Sequence, residues 1–114
     1  MIRSMAVLVG VLSLVSLSAQ AHTRLVSATP ADDAVVSAPG EIVLNFSEAV
    51  RLTAVSIVQN GQQDRSLELA STEPSEQFTL TAPRLAPGEY VVNWRAVGAD
   101  THVVSGEIHF TVRA

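Results

Sequence analysis

Short runs that alternate apolar and polar residues, each cut off by turn residues, limit most strictly what this chain can fold into. Ile42, Leu44 and Phe46 fall on one face of residues 41–46, and Val55 and Ile57 share a face in 53–58. Phe78 and Leu80 do the same in 77–81, and Tyr90, Val92 and Trp94 in 89–97. Ile108, Phe110 and Val112 mark a last run. A period of two belongs to strands with one buried face. Thr29-Pro30-Ala31-Asp32-Asp33, Ala38-Pro39-Gly40, Asn60-Gly61, Glu73-Pro74-Ser75 and Ala86-Pro87-Gly88 read as the intervening turns. Asn60-Gly61 in particular suits a type I′ hairpin turn, whose two central residues both need positive φ. No segment after residue 21 carries a convincing helical period. Short strands separated by turns predict an all-β fold, a sandwich or a small Greek-key barrel, in one domain. Trp94 lies within regular alternation and is read as core rather than as a binding platform.

The first 21 residues obey different rules. Arg3 supplies a positive start, Ala6 to Leu17 is apolar, and Ala19-Gln20-Ala21 fits the small-x-small pattern of a cleavage site. A membrane anchor is the alternative, but spanning a bilayer takes about 20 apolar residues and this run is shorter. Residues 1–21 are therefore expected to be a cleavable signal peptide, with residues 22–114 the exported domain, soluble in the periplasm or outside the cell. Met1 and Met5, the only methionines, would leave with it.

Composition then narrows the chemistry. The 114 residues contain no cysteine, which excludes disulfides, thiolate zinc sites, iron–sulfur clusters and a cysteine nucleophile. The formal charge is −4 and all seven basic residues are arginine, a poor match to a nucleic-acid binder. No phosphate loop, G-x-S-x-G elbow or H-E-x-x-H is present.

The histidines remain. Cleavage after Ala21 would make His22 the first residue, offering an α-amine and an imidazole nitrogen to one metal. Asp100 and His102 stand two apart, and in extended chain such residues point to the same side. Three nitrogens and an oxygen form a tetragonal donor set that suits Cu(II), with zinc the main competitor. Without Met or Cys the domain offers no soft ligands for Cu(I). Each half is weak alone: Asp100 could simply shape a turn, and the site exists only if residue 22 meets the 100–102 loop. His109, between Ile108 and Phe110, is expected to be a solvated strand residue, facing outward with Glu107 and Thr111.

The chain resembles the CopC family of periplasmic copper-binding proteins. The resemblance is carried by His22-Thr23-Arg24-Leu25, by Ser27-Ala28-Thr29-Pro30-Ala31 and by Ile42 through Val50 with its F-S-E segment. It continues through Leu85-Ala86-Pro87-Gly88-Glu89-Tyr90-Val91-Val92-Asn93-Trp94-Arg95, Asp100-Thr101-His102, and Gly106 through Val112. It implies an immunoglobulin-like antiparallel β-sandwich or Greek-key barrel. It also implies one Cu(II) per chain, held by His22, Asp100 and His102. Glu48 is implied as a hydrogen-bond partner of the site or a weak axial contact. A role in copper resistance, homeostasis or transport follows, as a monomeric buffer or carrier and not an enzyme, with a CopD-like inner-membrane protein as the possible partner. The chain lacks the methionines with which some relatives hold Cu(I). Thr101 stands where Gly is usual, Val103 where Pro is usual, Gly98 for a more usual Ser and Thr23 for a more usual Ala. Two other readings are a metal-free immunoglobulin-like adhesion or assembly module and, less favoured, an enzyme like the copper monooxygenases that hold their metal with an N-terminal histidine.

Overall fold

A computed structural model describes residues 23–114. The expected signal peptide, its cleavage site and His22 lie outside the described residues. Among those described there is no helix. Seven strands follow in order: β1 Leu25–Thr29, β2 Ala34–Val36, β3 Glu41–Gln59, β4 Arg65–Ser66, β5 Ser75–Thr81, β6 Gly88–Gly98 and β7 Val103–Val112.

One strand organises the rest. β3 runs for 19 residues, and its two halves have different neighbours. Residues 41–46 lie between β1 and β5, whereas residues 50–59 pair with β6, which carries β7 and then β2. Val50 belongs to both, facing Ser75 on one side and Gly98 on the other. The sheet curls about this point, so its two halves face each other across a single core. Phe46 from the first half meets Trp94 from β6 edge to face, with ring centroids 5.1 Å apart.

The runs 41–46 and 53–58 are thus one strand rather than two. Ser47-Glu48-Ala49 interrupts the alternation, and a bulge shifts its phase. Between Leu52 and Ala54 the register against β6 slips by one residue, so the buried side chains change from Val50 and Leu52 to Val55 and Ile57. Thr53 is the extra residue, and its hydroxyl donates to Arg95 O at 3.1 Å. A bulge bends the strand and raises its twist, which suits a strand that must serve two layers. The chain stays within one strand through Ser47-Glu48-Ala49 while its ladder partners change from β1 and β5 to β6.

Other differences are smaller. The strands read from 77–81, 89–97 and 108–112 extend to 75–81, 88–98 and 103–112. The short strands β2 and β4 carry too few residues to show a period. β2 pairs with β7 in parallel, whereas the other pairings among the described residues are antiparallel. Gln62 N–H donates to Gln59 O at 2.7 Å around Asn60-Gly61, but only Gly61 has positive φ, +79°. That is the pattern of a type II turn rather than the expected I′. It leads into a longer connection, with Ile57 facing Arg65, so the tight twist matching of a two-residue hairpin is not required.

The core consists of apolar side chains from both halves, including Ile42, Leu44, Phe46, Val55, Ile57, Tyr90, Val92, Trp94, Ile108 and Phe110, and among the described residues no charged or polar one is buried with them. Trp94 is only 7% exposed, as expected of a core residue. It packs over Gly106, where a Cβ would come within 2.8 Å of the indole. The absent side chain is what lets the ring come this close to β7. Tyr90 stacks on Phe110 at 5.6 Å, and its hydroxyl donates to Ala86 O. This bond ties the start of β6 to the preceding loop in the manner of the tyrosine corner of immunoglobulin-like sandwiches.

Candidate metal centre

The far end of β6 presents Asp100 and His102 on the hairpin to β7. Gly98 N–H donates to His102 O at 3.0 Å, and Thr101 N–H to Gly98 O at 2.9 Å. These two bonds enclose Ala99, Asp100 and Thr101 in a three-residue hairpin loop of the kind that ends in a left-handed residue. That residue is Thr101, with φ +68°. Left-handed backbone is unfavourable for a β-branched side chain, which explains why glycine would suit the position.

Asp100 and His102 are brought together by this turn, not by an extended strand. Asp100 Oδ1 accepts the His102 backbone N–H at 3.1 Å, an Asx-type turn. Its other oxygen, Oδ2, lies 2.8 Å from His102 Nδ1. The expectation of a shared side rested on the i, i+2 geometry of extended chain. The chain reverses here instead, and local hydrogen bonds to the carboxylate create the proximity. The bond to the His102 ring, followed by the backbone bond, holds the Asp100 carboxyl below the usual aspartate range. Nδ1 is occupied by Asp100, so Nε2 is the ring nitrogen left for another partner. The side chains are 83% and 66% exposed for His102 and Asp100, within direct reach of an ion from solvent.

The described start of the chain runs to the same place. Thr23 Oγ1 and Asp100 Oδ1 each stand 3.1 Å from the point that a Cβ on Gly98 would occupy. The residue after His22 therefore rests against the floor of the 98–102 loop. Arg24 and Ser47 bond reciprocally: Ser47 N–H donates to Arg24 O at 2.9 Å, and Arg24 N–H donates to Ser47 Oγ at 3.0 Å. Ser47 had no assigned role in the sequence, although it sits inside the F-S-E segment. Its signal was a hydroxyl at the point where strand alternation stops.

Glu48 follows Ser47, is exposed, and makes no ion pair among the described residues. Among those residues, no three His, Asp or Glu side chains converge so as to hold a metal. Asp100 and His102 thus form two members of a set whose third expected member, His22, lies outside the described region. His109 is half-exposed on the outer face of β7, as expected. Its Nδ1 lies 3.5 Å from Asp32 and its Nε2 3.3 Å from Glu107. Nitrogens facing opposite carboxylates cannot both serve one ion.

These features define an all-β, immunoglobulin-like domain that carries a carboxylate and an imidazole on an exposed hairpin turn beside its N-terminal segment. A family model described as the CopC domain matches residues 25–113. The chain is 35% identical over 110 residues to copper resistance protein C of Escherichia coli, with 87% of each chain covered. The crystal structure of CopC from Methylosinus trichosporium OB3b superposes with a TM-score of 0.69 at 33% identity, covering 81% of this chain and 94% of that one. The structure of PcoC, a methionine-rich copper resistance protein from Escherichia coli, gives 0.63 at 33% identity, covering 82% and 100% respectively. The chain belongs to the CopC family.

Proposed function

We propose that the chain is an exported Cu(II)-binding protein, a periplasmic buffer or carrier in copper resistance or homeostasis. His22, once freed by cleavage after Ala21, supplies its α-amine and an imidazole nitrogen. Asp100 and His102 supply an oxygen and a further nitrogen, and Glu48 ranks below them as an outer contact. The observation that carries this reading is the packing of Thr23 against Gly98, at the base of the turn that carries Asp100, one peptide bond from His22. The similarity to copper resistance proteins supports the choice of metal, and a mixed nitrogen and oxygen donor set suits Cu(II).

The chemistry follows from the ligands. The amine and both imidazoles bind metal only when their nitrogens are unprotonated, so binding releases protons and weakens in acid. Two exposed ligands on a turn and one on a chain end leave the metal open to exchange, as a carrier needs. Delivery to a CopD-like membrane protein is the partner reading that goes with the family. The domain acts as a monomer with one Cu(II) and catalyses no reaction.

The test is a Cu(II) titration, followed by electron paramagnetic resonance, of protein beginning at His22 beside protein with one extra residue before it. One tight tetragonal Cu(II) with nitrogen couplings, lost or much altered in the extended protein, is the expected result. Weak and identical binding by both would overturn the reading in favour of a metal-free adhesion or assembly module.

A further inference from the structure

The proposed ligands do not by themselves explain how a chain terminus is held still enough to serve as one of them. A terminal residue is ordinarily free to fray, and fixing its backbone carries an entropic cost. The segment before β1 is nevertheless held at two points. In a regular antiparallel pair, Arg24 N–H would donate to the Ser47 backbone carbonyl. It donates instead to the Ser47 hydroxyl, while Ser47 N–H returns a bond to Arg24 O. The exchange occurs where the β3–β5 register breaks, between Asn45 and Val50, so ladder pairing gives way to a side-chain clasp. The second point is Gly98, whose missing Cβ leaves the space beside which Thr23 Oγ1 and Asp100 Oδ1 both lie.

We infer that Ser47 is a positioning residue for the metal centre: its hydroxyl clasps Arg24, and with Gly98 as the floor under Thr23 it fixes the chain, one residue from His22, beside the turn that carries Asp100 and His102. Ser47 touches no metal in this scheme. It acts by reducing the number of orientations the terminal chelate must give up on binding. The inference rests on the proposed function and adds to it a residue outside the ligand set. It separates ligand supply, by His22, Asp100 and His102, from ligand placement, by Ser47 and Gly98.

The experiment uses the mature chain beginning at His22, as wild type, Ser47→Ala, Ser47→Thr and Gly98→Ala. Two quantities are read: hydrogen exchange of the Arg24 amide in metal-free protein, and Cu(II) affinity by competition with a chelator. Ser47→Ala is expected to remove protection of the Arg24 amide, leave core amides protected, and weaken Cu(II) binding about tenfold, equivalent to ordering about one residue. Ser47→Thr keeps the hydroxyl and is expected to restore both. Gly98→Ala is expected to weaken Cu(II) binding with the Arg24 amide still protected, because it disturbs only the floor. An Arg24 amide that Ser47→Ala leaves protected would overturn the inference, and so would an exposed amide with unchanged Cu(II) affinity. Wild-type binding that ignores an added N-terminal residue would instead overturn the terminal chelate itself, and with it any role for Ser47 in placing one.

Discussion

The two ends of β6 are built in opposite ways. At its start, Tyr90 is buried, stacks on Phe110 and spends its hydroxyl on Ala86 O. At its finish, the chain turns through a left-handed Thr101 and exposes Asp100 and His102 to solvent. One end draws its stability from buried apolar area; the other is fixed by local hydrogen bonds at a conformational cost. A strand of 11 residues thereby links a rigid corner to an exposed turn. The comparison teaches that presenting exposed polar side chains from a stiff sheet does not require the turn that carries them to be relaxed.

The contrast can be broken most forcefully at the buried end. Tyr90→Ala should lower unfolding free energy by about 3–5 kcal/mol, the range for removing a buried aromatic side chain, seen as an earlier urea or thermal midpoint. Copper binding by the fraction still folded should be unchanged. His102→Ala should do the reverse. Cu(II) affinity should fall by at least about a hundredfold, beyond the 10–100-fold typical of losing an outer-shell partner. Stability should stay within about 0.5 kcal/mol because the side chain is exposed. Isothermal titration and thermal melts together check both halves of that claim.

A smaller effect of opposite sign is expected at Thr101. A non-glycine residue in a sparsely populated backbone region costs about 1–3 kcal/mol, and glycine in the unfolded chain takes back about 0.5–1 kcal/mol. Thr101→Gly should therefore stabilise the domain by about 1 kcal/mol, measured by denaturant melts, while Asp100 and His102 keep their bond. A destabilised variant would show that the Thr101 side chain supports the turn.

The smallest effect concerns protons. The His102 ring lowers the pKa of the Asp100 carboxyl. A group whose pKa is depressed on folding favours the folded loop at pH above its unfolded value, and that contribution is lost as pH falls through the folded value. In metal-free protein, His102→Ala should move the Asp100 carboxyl titration upward toward the ordinary aspartate range, as followed by NMR. An unmoved titration would show that the carboxyl is not held by the ring.

The fold was readable where burial and period agree. Tyr90, Val92 and Trp94 alternate without interruption because β6 is central and one of its faces is fully covered. The 41–46 and 53–58 runs were readable as strands but not as one strand. Ser47-Glu48-Ala49 lies where β3 passes from one layer to the other, and Thr53 takes up a bulge whose purpose appears only once two layers are folded together. At the candidate site, residue types pointed to Asp100 and His102, but the extended geometry invoked for them was incorrect. Their contact depends on Asp100 accepting the His102 backbone N–H, which needs the chain to reverse.

The amino-acid sequence by itself determined the all-β class, the apolar faces and the candidate ligand types, because periodicity and side-chain chemistry are local properties. Tertiary structure alone decided that Thr23 lies on Gly98, that Ser47 holds Arg24, and that the first described residues meet a loop about 75 positions further along the chain. Contacts of that separation arise only when loop closure is offset by a shared core and a completed hydrogen-bond ladder, and no local pattern encodes which residues will meet there.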